Sequence, residues 1–231
     1  MGLNAKGFYY SHELFAVHGI TFPTNLKMLE FGNMVLPKRG LINPFMITHG
    51  GVKNSSDRTV KAYFESRGFK HTSIDINGAY GALSLDLRYP LPKEFHNQFD
   101  VATNFGTIEH IIDNQYQVFK NLHVAAKIGA LIIHQLPFNN YGHGYWSYPE
   151  SFFEIMSAYS GYRIIDLRIT WMRYQHPMGY KRVIYVGLVK EQDREFISEK
   201  KWQEPIVDNL GYRKCGKEQY DNWIEDNRKG K

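Results

Sequence analysis

Short apolar runs that end in polar, glycine-containing turns alternate along this chain with stretches of helical spacing. Lys27 to Phe31 (KMLEF) reads as a first strand, stopped at Gly32. Val60, Tyr63 and Phe64 fall on one helical face, with Ser55 or Ser56 available as cap and Gly68 as stop. His71 to Ile76 (HTSIDI) forms a second strand, running into Asp75, Asn77 and Gly78. Leu83 to Leu87 (LSLDL) alternates as a brief third strand before Pro90 and Pro92 break the chain. The fourth begins at Phe99 with Val101 and Ala102. Asp113 then opens a helix that carries Val118, Phe119, Leu122, Ala125 and Ala126 inward and stops at Gly129, and Ala130 to Leu136 (ALIIHQL) is a fifth strand. Pro149 suits the first helical position of PESFFEIMSAYSG, which Gly161 ends. Tyr162 to Thr170 and Val183 to Val189 supply two more strands.

Alternating strands and helices call for a largely parallel sheet with helices on both faces. The last two strands are joined by ITWMRYQHPMGYKR, too short and too rich in turn residues for a crossover helix, so they are antiparallel neighbours. The expected architecture is an α/β three-layer sandwich with a mostly parallel seven-stranded sheet and an antiparallel last strand. Residues 1–25 would form an N-terminal helical cap, 26–190 the sheet domain and 191–231 a charged extension with Trp202 and Trp223 as docking points. One stretch stands out for polarity: FDVATNFGTIEHI places Asn104, Gly106, Thr107, Glu109 and His110 just past the carboxyl end of an apolar strand, where open α/β sheets hold ligands. Capping alone would explain Thr107 or Asp113, but not Asn, Glu and His together.

Composition narrows the function classes. With 231 residues, 43% apolar and 15% aromatic, the chain can bury a full core. The single cysteine, Cys215, lies in a polar tail, which excludes a disulfide framework or a cysteine zinc site and fits a reducing, cytoplasmic setting. No stretch has the apolar run of a signal peptide or a membrane span. The net charge of +5 is scattered rather than gathered into a stripe interleaved with aromatics, so nucleic acid is not the expected partner.

From Leu26 to Val189 these features resemble the class I S-adenosylmethionine-dependent methyltransferases, a Rossmann-like fold with an inserted antiparallel strand. MLEFGN supplies the acidic residue and glycine that the family places after its first strand, Glu30 and Gly32, while Met34 and Leu36 stand where further glycines usually fall. Asp75 in SIDIN, followed by Ile76, matches the position that takes the ribose hydroxyls. Asp86 and Leu87 in LSLDLRYPL match the adenine site, and Asn104 and Gly106 the loop beneath the methyl group. The long spacing between Glu30 and Asp75 makes Met34 to Asn54 an inserted loop near the methionine end. The resemblance implies S-adenosyl-L-methionine as cofactor.

Methyl transfer is an in-line displacement in which the protein aligns the acceptor and excludes water. A hydroxyl acceptor also needs a base, and histidine is poised for that near neutral pH. His143, between Gly142 and Gly144 in the aromatic segment NNYGHGYWSY, is the first choice; His110 with Glu109 is the second, and His134 reads as a buried core residue. Gly106 occupies the place where some family members put a first metal-binding Glu before a Glu-His pair, so no metal is expected. The aromatics Trp146, Tyr148, Phe152, Phe153, Trp171, Tyr174 and Tyr180 suit a small-molecule acceptor, such as a sugar or similar biosynthetic intermediate methylated on oxygen. A catalytically inactive binding subunit and a nucleic-acid methyltransferase are the alternatives. Oligomeric state is not written in the sequence, and a homodimer is left open.

Overall fold

The computed structural model describes residues 3–36, 58–138, 144–173, 180–203 and 213–214. In chain order its main elements are α1 (Ala5–Val17), β1 (Lys27–Phe31), α2 (Val60–Ser66), β2 (Lys70–Ile74), β3 (Phe99–Phe105), α3 (Gln115–Ala125), β4 (Ala126–Pro137), β5 (Trp146–Ser147), α4 (Glu150–Ser160), β6 (Tyr162–Arg173), β7 (Tyr180–Lys190), α5 (Glu199–Gln203) and β8 (Arg213–Lys214). Six strands form the main sheet in the order β2-β1-β3-β4-β7-β6, and β5 pairs with β8 apart from it. β2, β1, β3 and β4 run parallel; β7 lies antiparallel between β4 and β6.

Among the described residues the sheet has six strands, not the seven expected, because LSLDL does not extend along β2. Leu83 makes a single bridge to Ile74, exchanging bonds with Ser73 and Asp75. Thereafter the Ser84 hydroxyl turns back onto the carbonyl of Ile76 at 2.9 Å and Asp86 bends onto Arg88, so the alternation of apolar residues serves a coil packed against the sheet edge. The bridge stands where a third strand would lie.

Alternation along each strand sends side chains into two cores. Met28, Val101, Leu131 and Ile133 meet α1 and α2 through Phe8, Leu14, Phe15, Tyr63 and Phe64 on one face. Leu29, Phe31, Ala102 and Ile132 meet α3 and α4 through Val118, Phe119, Leu122, Phe152, Phe153 and Met156 on the other. Gly187 on β7 leaves room for α1: a Cβ there would fall 2.6 Å from Leu14 Cδ1. Trp202 of α5 is buried against Phe119, Phe152 and Phe196; Trp223 lies outside the described residues.

Helix ends differ from expectation in detail. Thr59 caps α2 through the amide of Ala62 at 3.1 Å, and Ser55 and Ser56 lie outside the described residues. Asn114 rather than Asp113 caps α3, and Pro149 is the cap of α4 rather than its first residue, with Gly161 closing it at φ +74°. α3 passes into β4 without a connecting loop, so Gly129 lies within the strand instead of ending the helix. The Lys190 ammonium donates to the carbonyls of His123 and Ala126 at 2.9 and 3.0 Å, satisfying acceptors that the abrupt helix end leaves open. Among the described residues no helix is long and apolar enough to cross a membrane.

Candidate active site

A cavity of about 450 Å³ opens at the carboxyl ends of β1, β2 and β3. Its walls are Met34 after β1; Ile74, Asp75 and Ile76 at the end of β2; Leu85, Asp86, Leu87 and Arg88 from the edge coil; and Gly106, Thr107 and His110 to Asp113 from the loop after β3. This is the position and size at which open α/β sheets bind small ligands.

The loop after β3 is fixed from several sides. Asn104, fully buried on β3, accepts the amides of Thr107 and Ile108 on its Oδ1, both at 3.2 Å. The Thr107 hydroxyl donates to the carbonyl of Phe31 at 2.8 Å, tying the loop to β1. Gln115 donates to the carbonyls of Ile108 and Ile111 and accepts the Tyr148 hydroxyl at 2.6 Å, while the Trp146 indole donates to Ile111 and Ile112. Gly144, at φ +73°, packs onto Glu109, where a Cβ would collide with the Glu109 side chain. Trp146 and Tyr148 therefore buttress this loop, and Phe152 and Phe153 are core; of the aromatics expected on the acceptor side, Trp171 is exposed on β6.

Gly32 turns the chain after β1 at φ +104°, a conformation that glycine adopts without strain. The space its missing side chain leaves is filled by Met34 Cε and the Thr107 hydroxyl. On the opposite wall Asp75 Oδ1 accepts the amide of Asn77 at 3.1 Å, and Asn33 donates to Asn77 Oδ1 and the Ala79 carbonyl, pinning the turn after β2 against the turn after β1. Asp86 holds Arg88 through both carboxylate oxygens, and this pairing keeps its carboxyl below the usual range. Leu87 lies beside it on the wall.

Glu30 is placed differently from Asp75. It shares the face of Met28, is fully buried behind the cavity wall, and faces His71 at 3.5 Å. Burial pushes its carboxyl well up, with Asp75 adding to the effect and the nearby Met34 backbone offsetting part; burial and the Lys61 charge push the His71 imidazole down to about 3. Burial thus disfavours the charged form of both groups. Among the described residues, neither His71 nitrogen nor the Ser73 hydroxyl beside the pair has a hydrogen-bond partner.

Of the other carboxylate and histidine, His110 lines the cavity and Glu109 does not. Glu109 is fully buried, and burial pushes its carboxyl up to about 7. His110 Nε2 lies 3.7 Å from Glu109 Oε1, and the imidazole, 24% exposed, is held down to about 3 by burial. His134 is buried between Phe119 and Phe153, and among the described residues its Nδ1 has no partner. His143 lies outside the described residues, as do Tyr141, Gly142 and the segment around Asn54.

The structure thus gathers Asp75, Ile76, Asp86, Leu87, Gly106 and His110 around one cavity, with Asn104 and Glu109 directly behind it. Glu30 and Gly32 lie next to it without lining it. Met34 lines the wall as the start of the loop expected near the methionine end, and Arg88, Ile111, Ile112 and Asp113 join it without a sequence signal assigned to the site. The adjacent isoleucines in an otherwise polar turn were the available signal.

No protein-family model matches the sequence, and no curated protein matches it. Among solved structures, the 1,6-didemethyltoxoflavin-N1-methyltransferase of Burkholderia thailandensis, crystallised with 1,6-didemethyltoxoflavin and S-adenosylhomocysteine, aligns with a TM-score of 0.51 at 13% identity over 79% of this chain and 76% of that one. Phosphoethanolamine N-methyltransferase 2 of Haemonchus contortus, in complex with S-adenosyl-L-methionine, gives 0.46 at 13% identity over 80% and 53%. The 16S rRNA (adenine(1408)-N(1))-methyltransferase of Catenulisporales acidiphilia gives 0.42 at 12% over 79% and 94%. The chain has the Rossmann-like fold of the class I methyltransferases. At these identities the likeness is one of fold.

Proposed function

We propose that the chain is an S-adenosylmethionine-dependent methyltransferase whose acceptor is a small molecule, methylated on a hydroxyl oxygen as in a sugar or similar biosynthetic intermediate. The observation that carries this reading is a single cavity with the Asp75 carboxylate on one wall and His110 on another. The wall suits the cofactor. A carboxyl group at the end of β2 can accept two hydrogen bonds from a vicinal diol, Ile74, Ile76, Leu87 and Ile112 offer apolar faces to a purine, and Gly106, at φ +82°, presents backbone rather than side chain.

When bound, the cofactor supplies an electrophilic methyl carbon whose bond to sulfur breaks, with its electron pair, as the acceptor oxygen attacks in line. The residues of this chain have three tasks. The pinned turns at Asn33, Asn77 and Thr107 fix the distance between the walls, which aligns the reactants. Ile111 and Ile112, clamped by the Trp146 indole, exclude water. Glu109, whose carboxyl burial raises to about 7, has the proton affinity that suits a base, and His110 on the cavity wall, 3.7 Å from it, is placed to pass the acceptor proton to it. His143, the first choice from the sequence, keeps its candidacy as the base.

Titration calorimetry with S-adenosylhomocysteine tests the cofactor assignment: micromolar binding, lost in Asp75→Ala, is expected, and absence of binding overturns it. Mass spectrometry of small molecules retained by the purified protein tests the acceptor class.

A further inference from the structure

One edge of the main sheet is a long strand. β6, of 12 residues, ends the strand order and, among the described residues, pairs only with β7. Its single bulge lies near its start, between Ile164 and Asp166, and from Asp166 to Arg173 the register is unbroken. The direction of its backbone groups follows from β7. The amide of Phe138 donates to the carbonyl of Arg182 at 3.0 Å, so Arg182 and every second residue after it turn their amides and carbonyls toward β4, and Val183, Tyr185 and Gly187 turn theirs toward β6. On β6 these meet Thr170, Arg168 and Asp166, which leaves the backbone groups of Leu167, Ile169 and Trp171 directed outward. The Lys6 ammonium, bonded to the Trp171 carbonyl at 3.1 Å, lies on that outer side.

The side chains of the same three residues form an apolar stripe on the face covered by α4. Leu167 and Ile169 are half-buried against the core there, and Trp171 is 60% exposed. A row of outward amides and carbonyls beside a partly covered apolar stripe is a template for another strand. Charge guards many edges, but here it is neutralised within the chain: Arg168 pairs with Glu13 at 2.6 Å and with Asp166 at 2.9 Å. The stripe is also complementary to itself. Laid antiparallel on a second copy with Ile169 opposite Ile169, it sets Leu167 opposite Trp171 and Trp171 opposite Leu167, all positions whose backbone groups face outward, so each pair can exchange both hydrogen bonds. On the α1 face the two Arg168 side chains then approach the two-fold axis, each bringing two carboxylates, and charges of opposite sign interleave across it. A strand from any other source would need no such two-fold match.

We propose that the chain is a homodimer in which β6 of one copy pairs antiparallel with β6 of the other about Ile169, joining the two main sheets into one. Sedimentation velocity of the full chain at micromolar concentration should show a dimer. Trp171→Lys, at an exposed position, sets a lysine opposite Leu167 of the other copy and should weaken association about ten-fold, the scale of two lost cross-strand pairs, without lowering the melting temperature of the monomer. The register is read by cross-linking in a Cys215→Ser background, which removes the only native thiol. Ile169→Cys places two Cα atoms about 5.5 Å apart, within reach of a disulfide, whereas the two thiols of Trp171→Cys are offset by about 14 Å along the strands. Oxidation should therefore link the first variant and not the second. A monomeric full chain overturns the proposal, and protection of the Leu167 and Ile169 amides from hydrogen exchange in that monomer would assign the edge to another segment of the same chain. A dimer that Trp171→Lys leaves unchanged, or whose Ile169→Cys form does not cross-link, overturns it as well, because association then uses another surface.

Discussion

The hydroxyl of Thr107 donates to the carbonyl of Phe31 across 2.8 Å, joining the loop after the third strand to the end of the first. Thr107→Val keeps the shape and removes the bond. It should cost about 1 kcal/mol of stability, typical of one partly buried hydrogen bond, and should weaken S-adenosylhomocysteine binding because Thr107 lines the cavity. Denaturant unfolding and calorimetry on the same variant measure the two effects.

Gly32→Ala places a Cβ where Met34 and Thr107 already lie, on a backbone at φ +104°. A destabilisation of about 1–3 kcal/mol is expected from the strain alone. Gly19→Ala is the control: its φ of +76° is also left-handed, but a Cβ there meets nothing, so the difference in unfolding free energy between the two variants isolates the collision.

Glu109 gives the protein a stability that depends on pH. Its carboxyl ionises near 4.5 when unfolded and near 7 when folded, so between these values the folded state retains the extra proton and stability falls as pH rises. Above 7 the loss is complete and amounts to a few kcal/mol. Glu109→Gln should remove this part of the dependence and be more stable than the parent at pH 8. If Glu109 also receives the acceptor proton, the same variant should lose the rise in turnover through pH 7.

His134 acts on the acid side. The unfolded imidazole takes a proton near 6.5 and the folded one near 3, so its contribution is fully present above 6.5 and is lost as pH falls toward 3. By pH 5 the loss is about 2 kcal/mol. His134→Leu should flatten the stability profile between pH 6.5 and 5, which chemical unfolding at a series of pH values reads directly.

The sequence revealed the site where position along a strand was enough. Asp75 is legible because an acidic residue followed by Asn and Gly after HTSI must come at a strand end, and Gly106 and His110 because the apolar run from Phe99 stops abruptly. Glu30 shows what was hidden. It also ends a short apolar run, but strand parity places it with Met28, toward α2 and His71 rather than toward the cavity. Parity is set by tertiary packing, not by the spacing of a five-residue strand. LSLDL failed for a related reason: its alternation is that of a strand, but the hydroxyl of Ser84 and the carboxylate of Asp86 offered the backbone local partners in place of a ladder.

The strand from Tyr180 to Lys190 is the last of the main sheet in chain order, yet it lies between two strands made before it. During synthesis, strands 126–137 and 162–173 must therefore wait with facing edges unpaired until it arrives, because neither bonds to the other in the finished sheet. A nascent chain halted before residue 180 presents two open edges that can recruit another chain, and closure of the hairpin removes both at once.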